Sequence, residues 1–306
     1  MTGLRESSFR IFRLAGINVF VHWSWFLMAA YEIQSRARNY SSIAWNILEY
    51  LALFAIVTTH EFGHALACRQ VGGHADQIVL WPLGGVAYVD PPPRPAAVLW
   101  SITAGPLVNV ALAPILYGLA LLSRSLGWNH MFPDLDALIW GVFGWNLVLL
   151  VFNMLPIYPL DGGKILWSLL WFPLGRGRSL MVATVLGFVG MAGFVGLAFW
   201  WQSPWLGVLA VFMFLNCWRG LKQARVLLRL GKLPRREGFA CPTCKSAPPV
   251  GEFWVCGQCQ KPFDIFATQA VCPHCGTRYA ATRCMDCGRQ HPIAEWAAPV
   301  LVHPLG

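Results

Sequence analysis

The sequence predicts an all-α polytopic membrane protein of about six transmembrane helices, with a short membrane-associated β-hairpin and a small cysteine-rich module at its C-terminal end. Three observations predict it. Of 306 residues, 56% are hydrophobic and only 12% charged, against roughly 25% charged in a typical soluble domain. Long stretches carry no charge: Ala96 to Leu122, Ala137 to Leu160, and Ser179 to Trp218. About 20 apolar residues cross a bilayer, so these runs are spans. Finally, four CxxC pairs crowd between Cys241 and Cys287, where the apolar character is lost.

The elements follow in order. The N-terminal arm holds Arg5, Glu6, Arg10 and Arg13 with no small-residue cleavage site after them, so no cleavable signal peptide is expected. Leu14 to Trp23 alternates weakly and reads as a short strand leading into span one, which covers roughly His22 to Ile33 and begins nearer Ile17. Span two is Ser42 to Arg69. His74 to Val89 follows Gly72-Gly73, contains Pro82 and Gly84-Gly85, and alternates at Ile78 and Leu80, the pattern of an extended hairpin. Pro91-Pro92-Pro93 ends it and span three comes next. Span four stops at Pro156 and Pro159, which cannot donate helix hydrogen bonds. A short helix is expected after Asp161-Gly162-Gly163, running to Trp171. Irregular backbone at membrane depth is tolerated only when buried in protein or facing water, so this break marks a site. Spans five and six flank the turn Gln202-Ser203-Pro204. Gly220 to Arg236 is basic and partly amphipathic, as expected of a helix lying on the membrane surface. The resulting division is a membrane domain over residues 1–219, a basic juxtamembrane linker over 220–237 and a soluble module over 238–306.

The net charge of +9 is a topology signal. With six spans both termini share one side, and that side would carry fifteen Lys and Arg outside the C-terminal module, against three (Arg36, Arg38, Arg124) opposite. The positive-inside rule places both termini in the cytosol. Many of the sixteen Trp residues, such as Trp23, Trp128 and Trp200, fall near span ends, as interfacial belting explains.

Span two contains His60, Glu61, Phe62, Gly63 and His64, an HExxH motif. On a helix this puts two imidazoles one turn apart on one face with a carboxylate beside them, the arrangement that binds zinc and a water. Each His would give one nitrogen, and Glu61 would accept the water's proton and pass it to a leaving amine. Chance matches to so short a motif occur. Three ionisable residues in five positions of an apolar span oppose that reading, since each central charge costs about 2.5–3.5 kcal/mol to insert. A catalytic zinc needs a third protein ligand and an open position. Asp134, Asp136 and His130 lie toward the opposite side of the membrane. Asp161 lies at the break after span four, on the same side as the end of span two. His64 is five residues before Arg69, about 7.5 Å of helix, so Asp161 re-enters at a matching depth. Taken alone, Asp161 also fits a turn residue capping the next helix.

Three motifs in sequence order, His60 to His64, Gly105-Pro106-Leu107-Val108-Asn109, and Asn153 through Gly163 (NMLPIYPLDGG), resemble the site-2 protease family of intramembrane zinc metalloproteases, most nearly the bacterial sporulation-factor-processing type. The opening GINVFVHWSW and the PLGG at Pro82 to Gly85 are similar as well, so the resemblance covers about residues 10 to 220. It implies zinc ligands at His60, His64 and Asp161 and the base at Glu61. It also implies a transmembrane protein substrate, cleaved near the cytosolic face of a bacterial-type cell membrane. Asn109 and Asn153 could stabilise an oxyanion or hold substrate, or simply bond between helices. The hairpin could offer an edge to an extended substrate, or be a plain re-entrant loop.

The cysteines Cys241, Cys244, Cys256, Cys259, Cys272, Cys275, Cys284 and Cys287 make four knuckles. Two four-cysteine zinc sites fit them, most simply as two sequential ribbons, a double zinc-ribbon module. Disulfides are disfavoured in a reducing cytosol. Gly276 and Gly288 follow knuckle cysteines where tight turns favour glycine. Cys68 and Cys217 read as small apolar fillers. Five basic and four acidic residues in this module argue against nucleic acid and for a regulatory protein partner. The expected cofactors are one catalytic and two structural zinc ions. Two rivals stand beside the protease. A zinc peptidase with its site outside the bilayer would take a Glu from a later helix, yet no Glu follows Asp161 before Glu237. A non-catalytic membrane receptor or scaffold would use the ribbons to bind a protein.

Overall fold

The structure, a computed structural model, describes residues 7–35, 40–82 and 84–297. Arg5, Glu6, Arg36, Arg38, Leu83 and residues 298–306, which enter the expectations above, lie outside the described residues. The chain opens with strands. β1 (Ser8–Leu14) and β2 (Ile17–His22) form an antiparallel hairpin, β2 pairs in parallel with β3 (His74–Trp81), and β3 pairs antiparallel with β4 (Gly84–Asp90), giving one sheet in the order β1-β2-β3-β4. The expected hairpin is therefore half of a four-stranded sheet. Ile17, Val19 and Val21 alternate along β2, and Ile78 and Leu80 along β3, all essentially inaccessible. Branched side chains suit such a pleated, buried face.

These residues pack on Val57, Phe62, Ala65 and Cys68 of α2 (Ile43–Gln70). The Arg69 guanidinium locks the sheet to the end of α2, donating to the carbonyls of Ala15 at 2.5 Å and Ala75 at 2.7 Å. The strand at Ile17–His22 also changes the first expected span. The helix after that strand, α1 (Ser24–Ser35), has 12 residues, about 18 Å of helix against a hydrocarbon core of about 30 Å. Five described helices are long and apolar enough to cross a membrane: α2, α3 (Pro95–Ser125), α5 (Pro133–Met154), α7 (Arg176–Trp200) and α8 (Pro204–Leu230). A four-residue helix α4 (Trp128–Met131) lies between α3 and α5.

The break after α5 is as the prolines require. The helix ends at Met154, the chain turns through Pro156 and Pro159, and α6 (Asp161–Leu174) begins at Asp161 itself. The turn folds back onto its own backbone. A Cβ at Gly162 would sit 2.4 Å from the Leu155 carbonyl oxygen, and one at Gly163 would sit 2.3 Å from the Tyr158 nitrogen. Helix α8 continues without a break into the segment assigned by sequence to a separate juxtamembrane helix and ends within it at Leu230, before Gly231.

Two compact units result, one within residues 1–175 and 179–221, the other within 176–178 and 222–306. The second is built on two small antiparallel ladders, β5 (Trp254–Val255) with β6 (Pro262–Phe263) and β7 (Ala281–Arg283) with β8 (Gln290–Pro292). One apolar core, centred on Trp296, Phe263, Ile265 and Phe266, holds both. Its cysteines pair differently from the sequential arrangement. Cys241 and Cys244 join Cys284 and Cys287, while Cys256 and Cys259 join Cys272 and Cys275. The ribbons are nested, the second inside the loop that the first closes. Knuckle spacing carries no information on this pairing; the shared core decides it by bringing the first and last knuckles together.

Each knuckle closes with the same turn, in which the amide after the second cysteine donates to the carbonyl of the first: Lys245 to Cys241, Gln260 to Cys256, Gly276 to Cys272 and Gly288 to Cys284. All four closing residues have φ between 58° and 75°. Only two of them are glycine. A side chain in this left-handed region costs roughly 1 kcal/mol. Lys245→Gly and Gln260→Gly are therefore each expected to stabilise the module by up to about 1 kcal/mol, read as a rise in the denaturant midpoint of the full chain; a fall would contradict the assignment of strain.

Candidate active site

Helix α2 presents His60 and His64 on one face, one turn apart, and α6 brings the Asp161 carboxylate against them. The two Nε2 atoms lie 3.1 Å apart, and each is 3.1 Å from Asp161 Oδ2. All three residues are buried, with no more than 7% exposed. The other ring nitrogens are engaged: His60 Nδ1 with Asn109 Oδ1 at 2.5 Å, and His64 Nδ1 with the Ser101 carbonyl at 2.9 Å. A carbonyl oxygen only accepts, so the His64 Nδ1 carries a proton, and in the neutral ring its Nε2 presents a lone pair. Three lone-pair donors thus converge on one point. Ligands about 2.0–2.1 Å from a tetrahedral ion stand roughly 3.3 Å apart, close to the separations here, so the donor set fits zinc. Space is kept for an ion as well. A Cβ at Gly105 of α3 would lie 2.3 Å from His64 Nε2 and 2.8 Å from His60 Nε2. Gly105→Ala is accordingly expected to lower metal affinity at least tenfold while α3 still forms, measured by zinc titration; unchanged affinity would mean that the imidazole nitrogens do not need that room.

Glu61 points to the sheet. Its Oε2 accepts the Ala87 amide of β4 at 2.8 Å, and a Cβ at Gly85 would fall 2.3 Å from its Cγ. Backbone therefore packs directly on this carboxylate and positions it beside the histidine pair. Lys164, one turn along α6, lies 3.4 Å from Asp161 Oδ1 and so counters the outer oxygen.

The other acids and the histidine weighed as ligands are elsewhere. Asp134 accepts from the Ser41 amide at 3.0 Å, Asp136 accepts from Ser123 Oγ at 2.6 Å, and His130 contacts Asn129. Asn109 touches His60 directly. Asn153 is half-buried at the end of α5 and, among the described residues, shares no hydrogen bond with the cluster. Sequence reasoning passed over Ser101, which acts through its backbone and leaves no side-chain signal. It also passed over Asn146, an amide in an uncharged span seven residues before Asn153.

In the C-terminal module the sulfur separations are 3.7 Å for Cys241–Cys287 and Cys244–Cys284, and 3.5 and 3.7 Å for Cys256–Cys275 and Cys259–Cys272. Four sulfurs about 2.3 Å from a tetrahedral zinc stand roughly 3.8 Å apart, so both sets fit that ion. The Cys284 side chain draws the Cys244 thiol down to about 4, and the Cys259 amide, aided by the Tyr279 hydroxyl, draws Cys256 down to about 5. Each set thus holds a sulfur that is thiolate at neutral pH, the form that binds metal.

Long apolar helices around a buried histidine pair, a carboxylate ligand and an adjacent glutamate define a membrane-embedded metallopeptidase architecture. Residues 49–134 match the model of peptidase family M50. The chain is 33% identical over 181 residues to the zinc metalloprotease MJ0392 of Methanocaldococcus jannaschii, covering 59% of this chain and 50% of that one. It is 30% identical over 175 residues to the putative zinc metalloprotease YwhC of Bacillus subtilis, covering 47% of this chain and 78% of that one. The fold matches the solved site-2 protease from Methanocaldococcus jannaschii with a TM-score of 0.51 at 24% identity, over 70% of this chain and 95% of that one. The chain belongs to peptidase family M50, the site-2 proteases, and is an integral membrane protein. It spans about half the length of several of the curated relatives that it matches.

Proposed function

We propose that the chain is an intramembrane zinc endopeptidase that hydrolyses a peptide bond of a transmembrane protein near its cytosolic end, in regulated intramembrane proteolysis. The observation that carries this is the convergence of His60 Nε2, His64 Nε2 and Asp161 Oδ2 within 3.1 Å of one another, beside Glu61. These three residues would hold the metal ion, which when bound would supply a Lewis acid for the scissile carbonyl and a water that is nucleophilic at neutral pH. Glu61 takes the proton from that water and delivers it to the departing amine. The outer edge of β4 beside Glu61 supports an extended substrate laid along it, since a helical peptide bond must unwind before attack. Asn153 stays a candidate for contact with that substrate.

Residues 1–219 form the proteolytic unit, 220–237 join it to the module, and 238–306 form a double zinc ribbon with two structural ions. The module offers a surface for a regulatory protein. Both termini are cytosolic. In support, Arg69 ties the N-terminal hairpin to the end of α2. From there α3, α5, α7 and α8 alternate, returning the C-terminal end to the same side. The count of Lys and Arg marks that side as the cytosol.

The test compares membrane proteomes of cells carrying the wild-type chain or Glu61→Gln. Single-span proteins should accumulate uncut in the variant, and at least one should be cleaved by purified wild-type protein with zinc. If the proteomes match while partners still co-purify through the ribbons, the scaffold reading replaces this one.

A further inference from the structure

Asn146, which no step above uses, sits fully buried on α5, where it makes two hydrogen bonds with Asn109 of α3. Its Nδ2 donates to the Asn109 backbone carbonyl at 3.0 Å, and its Oδ1 accepts from Asn109 Nδ2 at 2.8 Å. The backbone carbonyl has no donor form, so it decides which end of the Asn146 amide faces it: the nitrogen must. That places Asn146 Oδ1 toward Asn109, which must therefore turn its own nitrogen to Asn146 and its oxygen to His60. An oxygen facing His60 Nδ1 at 2.5 Å requires the proton on Nδ1. In the neutral ring, the form that binds metal, His60 Nε2 is then left with the lone pair that points at His64 and Asp161. Each choice is forced by the one before, and none can be reversed singly without setting two acceptors or two donors face to face.

We propose that Asn146 is a positioning residue for the metal centre: acting through Asn109, it holds His60 in the one tautomer that can ligate. The inference rests on the metal-centre reading given above but not on proteolysis. A primary amide suits this place because it offers a donor and an acceptor in fixed relation. Asp could not donate to the backbone carbonyl, and Leu of similar size could do neither. The amide pair also explains a helix-to-helix polar contact inside an apolar bundle, where small polar residues bond across interfaces. Outer partners of ligating histidines typically alter metal affinity by 10–100-fold.

The test uses the full chain and cadmium as the probe, because cadmium resonances separate a nitrogen and oxygen site from all-thiolate sites in one spectrum. In Asn146→Ala the affinity of the nitrogen and oxygen site is expected to fall by about 10–100-fold, while the thiolate resonances stay unchanged. Asn109→Asp in the Asn146→Ala background is expected to restore most of that affinity. An aspartate has two acceptor oxygens, so it can take the His60 Nδ1 proton without being oriented by Asn146. Nitrogen-resolved NMR of His60 should report the Nδ1-protonated tautomer in the wild-type and rescued proteins, and a mixture in Asn146→Ala. A purely structural Asn146 would lower thermal stability, leave the tautomer and affinity as in the wild type, and gain nothing from Asn109→Asp; either of the last two results overturns the proposal. If Asn146→Ala does not fold, Asn146→Leu poses the same question, since it keeps the volume and loses both the donor and the acceptor. Wild-type affinity in Asn146→Leu likewise sinks it. Absence of proteolysis in the wild-type chain itself, with the affinity and tautomer changes as expected, would count against the protease reading instead.

Discussion

Glu61→Gln is expected to slow peptide hydrolysis by a factor of about 10²–10⁴, the usual worth of a positioned proton-transfer group, with the metal content unchanged. Glutamine has the same shape and keeps an oxygen that can accept the Ala87 amide, so the contact at 2.8 Å and the close packing of Gly85 survive. What it cannot do is take a proton. The three metal-binding atoms are on other residues, so an effect confined to turnover separates proton transfer from metal binding. The measurement is the rate on a purified transmembrane substrate together with the zinc content of the same preparation. A variant that turns over normally would remove Glu61 from the mechanism, and one that loses zinc would show that the carboxylate helps hold the metal.

Asp161→Asn is expected to weaken the histidine-bound metal by at least about a hundredfold. Losing even an outer partner costs 10–100-fold, and here a charged ligand is lost outright. The substitution also leaves Lys164, 3.4 Å from the outer carboxylate oxygen, without its counter-charge next to a cation. The two four-cysteine sets are separate groups of residues, so zinc analysis of the full chain should fall from three ions towards two rather than to none. Asp136→Asn makes the contrast. Its carboxylate is buried and bonded to Ser123 at 2.6 Å, and its removal should cost stability without touching the metal count. Equal losses in the two variants would refute a specific role for Asp161.

How much of this could be read in the sequence depended on distance along the chain. The histidine pair and Glu61 were legible because helical geometry alone puts residues four apart on one face. Asp161 is about a hundred residues away, and spacing by itself left it equally suited to a turn; matching membrane depth and the family resemblance singled it out. The α5–α6 break was legible from Pro156 and Pro159, whose missing donors act locally. The four-stranded sheet was not. The parallel pairing of Ile17–His22 with His74–Trp81 is non-local, and the apolar residues of β2 look like the start of a span until β3 is seen beside them. This pairing also takes Ile17 to His22 out of the first expected span. Ser101 and Asn146 were hidden because one contributes a carbonyl that every residue has and the other a common amide. The knuckles were plain, but which knuckle meets which is set by the apolar core around Trp296 and not by the intervals between cysteines.

The contact between α2 and α3 has a further consequence for the direction from which a peptide can arrive. A Cβ at Gly63 would lie 2.7 Å from the Ala104 carbonyl oxygen, so the two helices meet main chain to main chain, and Gly105, Ser101 and Asn109 close over the imidazoles from that flank. Nothing as large as a polypeptide fits there. Gly85 of β4 instead touches Glu61, so the glutamate is covered by the sheet and not by α3. A substrate of the kind proposed would have to reach the histidines from a side other than the α3 flank.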